Sequence, residues 1–301
     1  AQGVNRTALA EAVLGDPEAI RALEAIVQAA RTGKVGDVWA REWRRTERSF
    51  ADLEPLLRRA ILDVAPRAGH FLDLGCGVGT TAAHVAAERV GATITAVDLS
   101  SAIARERHHF PDLRFVAGDA LEHVAPEAFD LTFSRHGVMF FADPHTAFTQ
   151  LRRAMRPGAP LVFSCFRARR ANAWMRELAA ATDQSLDDDA GYVPGPFGYA
   201  NMDDVRAVLS RSGWRVDAVE PVDFDYVAGV GERDDAAIAD ALTFFTRIGP
   251  AAAAIRAVSG DARVALLERI GSRLARYAAN GRVAMPAAAW ICTARAAGEA
   301  A

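Results

Sequence analysis

Residues 71–81, Phe71-Leu-Asp73-Leu-Gly75-Cys76-Gly77-Val-Gly79-Thr80-Thr81, set three glycines at alternate positions between an apolar run and a helical pattern. The apolar run (Phe71, Leu72, Leu74) reads as a strand, and Ala82, Ala83, Val85, Ala86 and Ala87 read as the start of a helix. Strand, glycine turn and helix open a doubly wound nucleotide-binding sheet. The glycines admit a ligand that a β-carbon would exclude, and the free N–H groups of the helix start face an anionic group. The details of the loop narrow the ligand. A dinucleotide fingerprint asks for glycine at position 80, where this chain has Thr80. Asp73, two residues before the first glycine, would repel a pyrophosphate and suits an ammonium group. A ligand with both a carboxylate and an amine fits this loop better than a dinucleotide.

Three further signals follow in order. Nineteen residues beyond Gly79, Ile94-Thr-Ala-Val-Asp98-Leu99-Ser100 ends a second strand on an acid placed to accept both ribose hydroxyls. Phe115-Val-Ala-Gly-Asp119-Ala120-Leu121 ends a third strand on an acid near an adenine edge. Phe129 to Pro144, containing Ser134-Arg135-His136-Gly137-Val138-Met139-Phe140-Phe141, is a strand opening into a loop, and Leu151 to Phe166 supplies a helix, a proline–glycine turn and a fifth strand.

These four motifs, in this order and spacing, resemble the class I S-adenosylmethionine-dependent methyltransferases. The Ser134–Phe141 run is similar to a bacterial branch near the ubiquinone/menaquinone-biosynthesis C-methyltransferases, in which an aromatic more often stands where this chain has His136. The resemblance covers Val38 to Phe166 well and the rest loosely. It implies S-adenosylmethionine as cofactor and no metal. The cofactor-binding set it implies is Trp43, Asp73, Gly75, Cys76, Gly77, Gly79, Asp98, Leu99, Asp119, Ala120, Ser134 and Arg135. In proteins of this kind the segment holding Trp39 and Trp43, four apart on one helical face, folds over the methionine end of the cofactor. Core packing is the alternative for both.

The elements that position these residues alternate strictly between 69 and 166. Strands are expected at 70–74, 92–98, 113–117, 129–134 and 160–166, with helices at 79–90, 100–107 and 145–155 and a short helical turn after the third strand. That alternation means a parallel sheet with helices on both faces, ligand-binding at the carboxyl ends of its strands. Gly75, Asp98, Asp119 and Ser134 all fall at such ends. Helices are expected at 171–182 and 203–212, with a glycine/proline-marked acidic loop at 183–196 between them. Val216–Val227 reads as a strand made an edge or bulged by Pro221, and Ala287–Ala294 as the seventh strand. The expected fold is therefore α/β, a Rossmann-like seven-stranded doubly wound sheet with N-terminal helices and a helical lid inserted after strands five and six. Its parts are an N-terminal helical arm (1–47), a cofactor-binding core (48–166), lid insertions (167–200 and 228–284) and the C-terminal part of the core (201–227 and 285–297).

Composition adds limits. The 301 residues are 51% hydrophobic and 24% charged with net charge −3, and the arginines are dispersed, which disfavours nucleic acid as partner. The opening residues show no long apolar run, so neither a signal peptide nor a membrane span is expected. Cys76, Cys165 and Cys292 have no ligand-like spacing, which points to a reduced, cytoplasmic protein without structural metal. Residues 6–32 read as alanine-rich helices broken near Gly15-Asp16-Pro17, a packing arm or the contact of a homodimer.

The chemistry turns on the acceptor. Displacement at a sulfonium methyl needs mainly alignment and exclusion of water. His136, just past the fourth strand, is either a general base for an acceptor hydroxyl or acidic carbon, or a pocket-shaping side chain. Arg167, with Arg169 and Arg170, is a carboxylate or phosphate clamp or a solvated face. Phe140 and Tyr199, with Tyr192 and Tyr226, are candidate acceptor-pocket residues. O- or C-methylation of a small molecule, a phenol, enol or carboxylate, is the leading reading. Alternatives are a peptide or larger acceptor recognised by loop 183–200, an NAD-dependent oxidoreductase, and a non-catalytic cofactor-binding subunit. The fourth motif lacks an Asn/Asp-Pro-Pro-Tyr run, unlike base or amide N-methyltransferases.

Overall fold

A computed structural model describes residues 34–100, 113–118, 128–189, 191–249 and 251–297. The expected helices at 6–32 and 100–107, and the turn after the third strand, lie outside the described residues. In chain order the elements are α1 (Lys34–Ser49), α2 (Glu54–Val64), β1 (Ala68–Leu74), α3 (Thr80–Glu88), β2 (Gly91–Asp98), β3 (Arg114–Ala117), β4 (Leu131–Arg135), α4 (Pro144–Ala154), β5 (Pro160–Phe166), α5 (Ala173–Thr182), α6 (Met202–Arg211), β6 (Trp214–Val230), α7 (Asp234–Arg247), α8 (Ala251–Ala257), α9 (Gly260–Leu274), β7 (Ala278–Ala279) and β8 (Arg282–Ala296). Helix α1 runs unbroken through 47/48, where the sequence suggested a division between arm and core.

The sheet runs β3-β2-β1-β4-β5-β8-β6, with the two-residue β7 pairing on β8. The first five strands are parallel, and β8 joins antiparallel to both β5 and β6. This is the expected doubly wound α/β sheet, carrying an eighth short strand that periodicity could not reveal. Alternate residues feed two apolar layers. Phe71, Ile94, Phe133 and Val162 pack with Leu57 and Ile61 of α2 and Val85 of α3, whereas Leu72, Leu161 and Phe163 pack with Phe148 and Leu151 of α4 and Leu209 of α6.

Helix starts follow local chemistry. Asp143 caps α4 by accepting from the Thr146 amide at 3.1 Å, with Pro144 in the first turn, and Asn201 caps α6 through the Asp203 amide at 3.0 Å. Pro221 sits on β6, the outermost strand, where its missing N–H deprives no further neighbour. Pro286 sits where β8 has left β5 behind, since the β5 pairing covers only Ala289–Arg295.

Helices α7–α9 fill the connection between β6 and β8. Gly229 lets α7 lie directly on β6: a β-carbon there would stand 2.1 Å from the Ala237 carbonyl oxygen and 2.7 Å from the Ala241 amide nitrogen. Backbone cannot yield as a side-chain tip can. Gly229→Ala is expected to lower stability by about 1–3 kcal/mol, measured by denaturant unfolding. An unchanged midpoint would show that α7 rides free of β6.

Candidate functional site

The site is assembled where β1 and β4 end side by side. The glycine loop leaves β1 with Gly75 and Cys76 both donating to the Val97 carbonyl, at 2.9 and 3.0 Å. Gly75, Gly77 and Gly79 all have positive φ (67°, 57° and 89°). At Gly75 a β-carbon would stand 3.1 Å from the Gly137 Cα. At Gly77 it would meet nothing within 4 Å, so this glycine faces open space and leaves its backbone approachable. Asp98, ending β2, accepts from the Gly77 amide (3.0 Å) and the Ser100 amide (2.9 Å), which fixes its carboxylate against the loop. Leu99 beside it is exposed.

Charge around the loop is out of balance. Asp73 is buried and its Oδ2 has no partner, and the Oε2 of Glu47 is likewise buried and unpartnered. Burial drives the Asp73 pKa up to about 8. The Arg135 guanidinium pulls it down, and the Asp98 and Glu47 carboxylates push it up further. Arg135 pairs with Glu47 and lies over the Phe50 ring, 5.7 Å from its centroid, so the end of α1 is tied to the end of β4. Asp73 thus feels one guanidinium and two further carboxylates. Such a site lacks positive charge and suits a cationic ligand.

His136 follows β4 with φ 58° and is buried. Its amide donates to the Ser164 carbonyl (3.1 Å), and its Nδ1 stands 2.8 Å from the Ser164 hydroxyl. Its Nε2 is without a partner. The ring packs at 4.7 Å from Phe50 and 4.4 Å from Phe166. Burial, reinforced by the Arg135 charge, pushes its pKa down to about 3. Burial thus keeps the imidazole neutral, with Nε2 the nitrogen left open.

Other expected site residues divide sharply. Ser134 is near the loop as expected, but its hydroxyl is committed to structure. It donates to the Leu74 carbonyl (2.7 Å) and accepts from the Gly137 amide (3.2 Å), bracing β4 against β1 instead of facing a ligand. Cys76 is buried, and burial raises its thiol pKa, which leaves it inert. Trp43 is partly buried with the Arg44 guanidinium 4.4 Å above its ring. Phe140 is half exposed on the turn after β4. Asp119 and Ala120 lie outside the described residues.

Two substrate assignments need correction. Tyr199 does not line a pocket: it is fully buried, packed 6.3 Å from Phe148, 6.5 Å from Phe163 and 4.8 Å from Tyr192, because its side of the loop turns into the core. Arg167 is not a free clamp, since it pairs with Asp223 at 2.9 Å and stacks on Trp290 at 5.1 Å. Its neighbours Arg169 and Arg170 are held by Asp187 and Asp189 of the acidic loop. Tyr192 acts as a latch. Its hydroxyl reaches the Met139 and Phe141 carbonyls at 3.0 and 2.6 Å, which fastens loop 183–200 to the turn after β4.

Glu47, Phe50, Ser164 and Trp174 were missed from sequence. Glu47 had a signal, because it lies one turn beyond Trp43 on the same helical face. Ser164 and Trp174 had none, their roles arising from strand pairing and packing. Among the described residues, no group of three or more His, Cys, Asp or Glu could hold a metal ion.

Comparison with known proteins agrees with this geometry. Residues 72–163 match the family model described as a methyltransferase domain. The chain is 32% identical over 133 residues to trans-aconitate 2-methyltransferase of Delftia acidovorans, covering 42% of this chain and 48% of that one. It is 34% identical over 118 residues to demethylmenaquinone methyltransferase of Beutenbergia cavernae, covering 38% and 48%. The chain therefore spans about half the length of these relatives. A Bacillus halodurans structure described as a candidate methyltransferase superposes with TM-score 0.51 at 14% identity, over 80% of this chain and 99% of that one, which shows the shared fold. Residues 72–163 thus match a methyltransferase domain, and they lie on a fold of the Rossmann-like kind.

The buried Asp73 makes a signed prediction. The folded, ligand-free protein keeps a proton that the unfolded chain releases in the ordinary carboxylate range, so its stability falls as pH rises from there through about 8. Asp73→Asn should flatten that slope and raise Tm at pH 8. It should also weaken S-adenosylhomocysteine binding by about tenfold or more, since an amide cannot pair with an ammonium group as a carboxylate does. A lowered Tm at pH 8 or undiminished affinity would contradict the assignment.

Proposed function

We propose that this protein transfers a methyl group from S-adenosylmethionine to a small-molecule acceptor by O- or C-methylation. The observation that carries the reading is the surplus of buried carboxylate at the glycine loop, where Asp73 Oδ2 and Glu47 Oε2 are both unpartnered. S-adenosylmethionine has an ammonium and a sulfonium, so it fits a site short of positive charge. A dinucleotide pyrophosphate does not. Asp73 would hold the ammonium, the exposed backbone at Gly77 would accommodate the cofactor's approach, and Asp98 would receive ribose hydroxyls on the lone pairs its two amide bonds leave free. Glu47, on the helix that closes over the loop, would add attraction for the cationic end. When bound, the cofactor supplies an electrophilic methyl group.

The chain's own residues contribute alignment and dryness. Helix α1 is pinned over the loop by Glu47–Arg135. It is pinned to the β6–α7 side by Arg45 and Arg48 on Asp240 and by Arg247 on the buried Glu42. Loop 183–200 is latched to the turn after β4 by Tyr192, which supports a role for it as a lid that excludes water from the transfer. The names of the two relatives, which refer to trans-aconitate and demethylmenaquinone, support a small acceptor.

The test is calorimetric titration with S-adenosylmethionine, S-adenosylhomocysteine and NAD. Micromolar binding of the first two and none of NAD is expected. The proton left on Asp73 near neutral pH should be released as the ammonium binds, so the heat at pH 7 should vary with the ionisation enthalpy of the buffer. Asp98→Ala should abolish binding. NAD binding without either sulfur ligand would sink the reading.

A further inference from the structure

A continuous group of aromatic rings lies beside the carboxyl ends of β4 and β5 and is not used by the cofactor site. His136 packs on Phe50 and Phe166, and Phe166 packs on Trp174 at 5.3 Å and on Phe197 at 5.7 Å. Trp174 lies between Phe197 and Tyr226, at 5.5 and 5.4 Å, nearly parallel to both with interplanar angles of 23°. Tyr226 in turn stacks on Phe244 and Phe245 of α7. Rings held this nearly parallel pack into one continuous apolar wall.

Two polar atoms in this cluster are without partners. Trp174 is 4% exposed and its Nε1 has no partner, and His136 is 5% exposed with Nε2 unpartnered. Buried Trp and His nitrogens ordinarily find partners. The proton on His136 can be placed. The Ser164 hydroxyl is fully buried, and its contact with His136 Nδ1 is the one hydrogen bond it makes among the described residues. If it accepted from Nδ1–H, its own proton would have no acceptor. It therefore donates to Nδ1, which leaves the proton of the neutral imidazole on Nε2. The edge of the ring opposite Ser164 is a donor, like the Trp174 indole N–H.

Both donors flank the Phe166 ring. On its outer side the cluster borders a cleft of about 310 Å³ whose lining includes Arg169, Asp187, Asp189, Met175, Val193 and Phe197. Phe197 belongs to both: the Arg169 guanidinium lies 5.3 Å from its centroid, and Trp174 stacks against it. The cleft is large enough to admit a small ring system to the edge of the cluster.

From this arrangement we infer that the aromatic cluster is the acceptor chamber, entered past Phe197, and that His136 Nε2–H and Trp174 Nε1–H select a planar, largely apolar acceptor presenting a carbonyl or carboxylate oxygen. The inference rests on the methyl-transfer reading and adds the acceptor class to it. Each donor takes an oxygen with lone pairs and no proton to give, which a carbonyl or carboxylate supplies. His136 is then a positioning residue, holding the acceptor oxygen.

The experiment uses the full chain saturated with S-adenosylhomocysteine and compares three probes of one shape by calorimetry: 2-acetonaphthone, 2-naphthoate and 2-methylnaphthalene. At least one oxygen-bearing probe should bind about tenfold or more tightly than 2-methylnaphthalene, and the ketone and the carboxylate report which oxygen is preferred. Trp174→Phe keeps a ring and removes the donor, so it should erase most of that preference while the hydrocarbon still binds and S-adenosylhomocysteine affinity is retained. His136→Asn, chosen because asparagine tolerates the positive φ at this position, should reduce the preference independently. Equal affinities for all three probes, or a preference that survives both substitutions, overturn the chamber assignment while leaving methyl transfer standing. Failure of S-adenosylhomocysteine itself to bind overturns both.

Discussion

The site depends on two stretches of backbone being allowed to touch. Gly75 and Gly137 meet where β1 and β4 end, and a β-carbon on Gly137 would come within 2.7 Å of both the Leu74 carbonyl and the Ser134 hydroxyl. That hydroxyl, buried and bonded to both strands, locks the contact. Because the two ends are held together, Asp73 and Arg135 share one dry region, and helix α1 can reach it through Glu47. Every later feature of the site follows from that approach.

Electrostatics then divides the region into two halves with different needs. On the loop side, carboxylates outnumber the guanidinium and lack partners. On the β5 side, neutral nitrogens lack acceptors amid aromatic rings. A polar group kept buried without a partner costs stability in the ligand-free protein, and that cost is recovered only when a complementary molecule arrives. The two halves are complementary to different molecules, one cationic and one flat and oxygen-bearing, and they adjoin at His136 and Phe50.

Much of this was legible in the sequence, for identifiable reasons. The glycine loop, Asp98 and the alternation of strands and helices are local patterns, and the strand boundaries fell within two residues of their expected places through β5. Pro221 marked an edge strand correctly because a missing N–H has a fixed topological meaning. Side-chain direction was less legible. Tyr199 and Arg167 stood on the ligand side of the sheet in sequence order, yet one turned into the core and the other found Asp223, since a loop's path decides orientation and no periodicity constrains it. The basic run at 167–170 was similarly neutralised by the acidic run near 187, a pairing that sequence separation concealed. Ser164 looked like an ordinary strand residue, and its importance comes from standing beside the histidine that follows the neighbouring strand.

The uneven lengths of the last strands have a mechanical consequence. β8 stays in register with β5 only from Ala289 onward, whereas its pairing with β6 continues back to Arg282. The seven residues before Ala289 therefore run past the end of β5 as a narrow ribbon of about 23 Å, two-stranded except where β7 pairs with Arg282 and Val283, carrying Phe224 and Tyr226 near its root and α7 along its flank. A two-stranded ribbon twists and bends far more readily than a broad sheet. The sheet narrows at Phe166 and Ala289, beside the aromatic rings, so bending of the ribbon that carries α7 would be felt first at those rings.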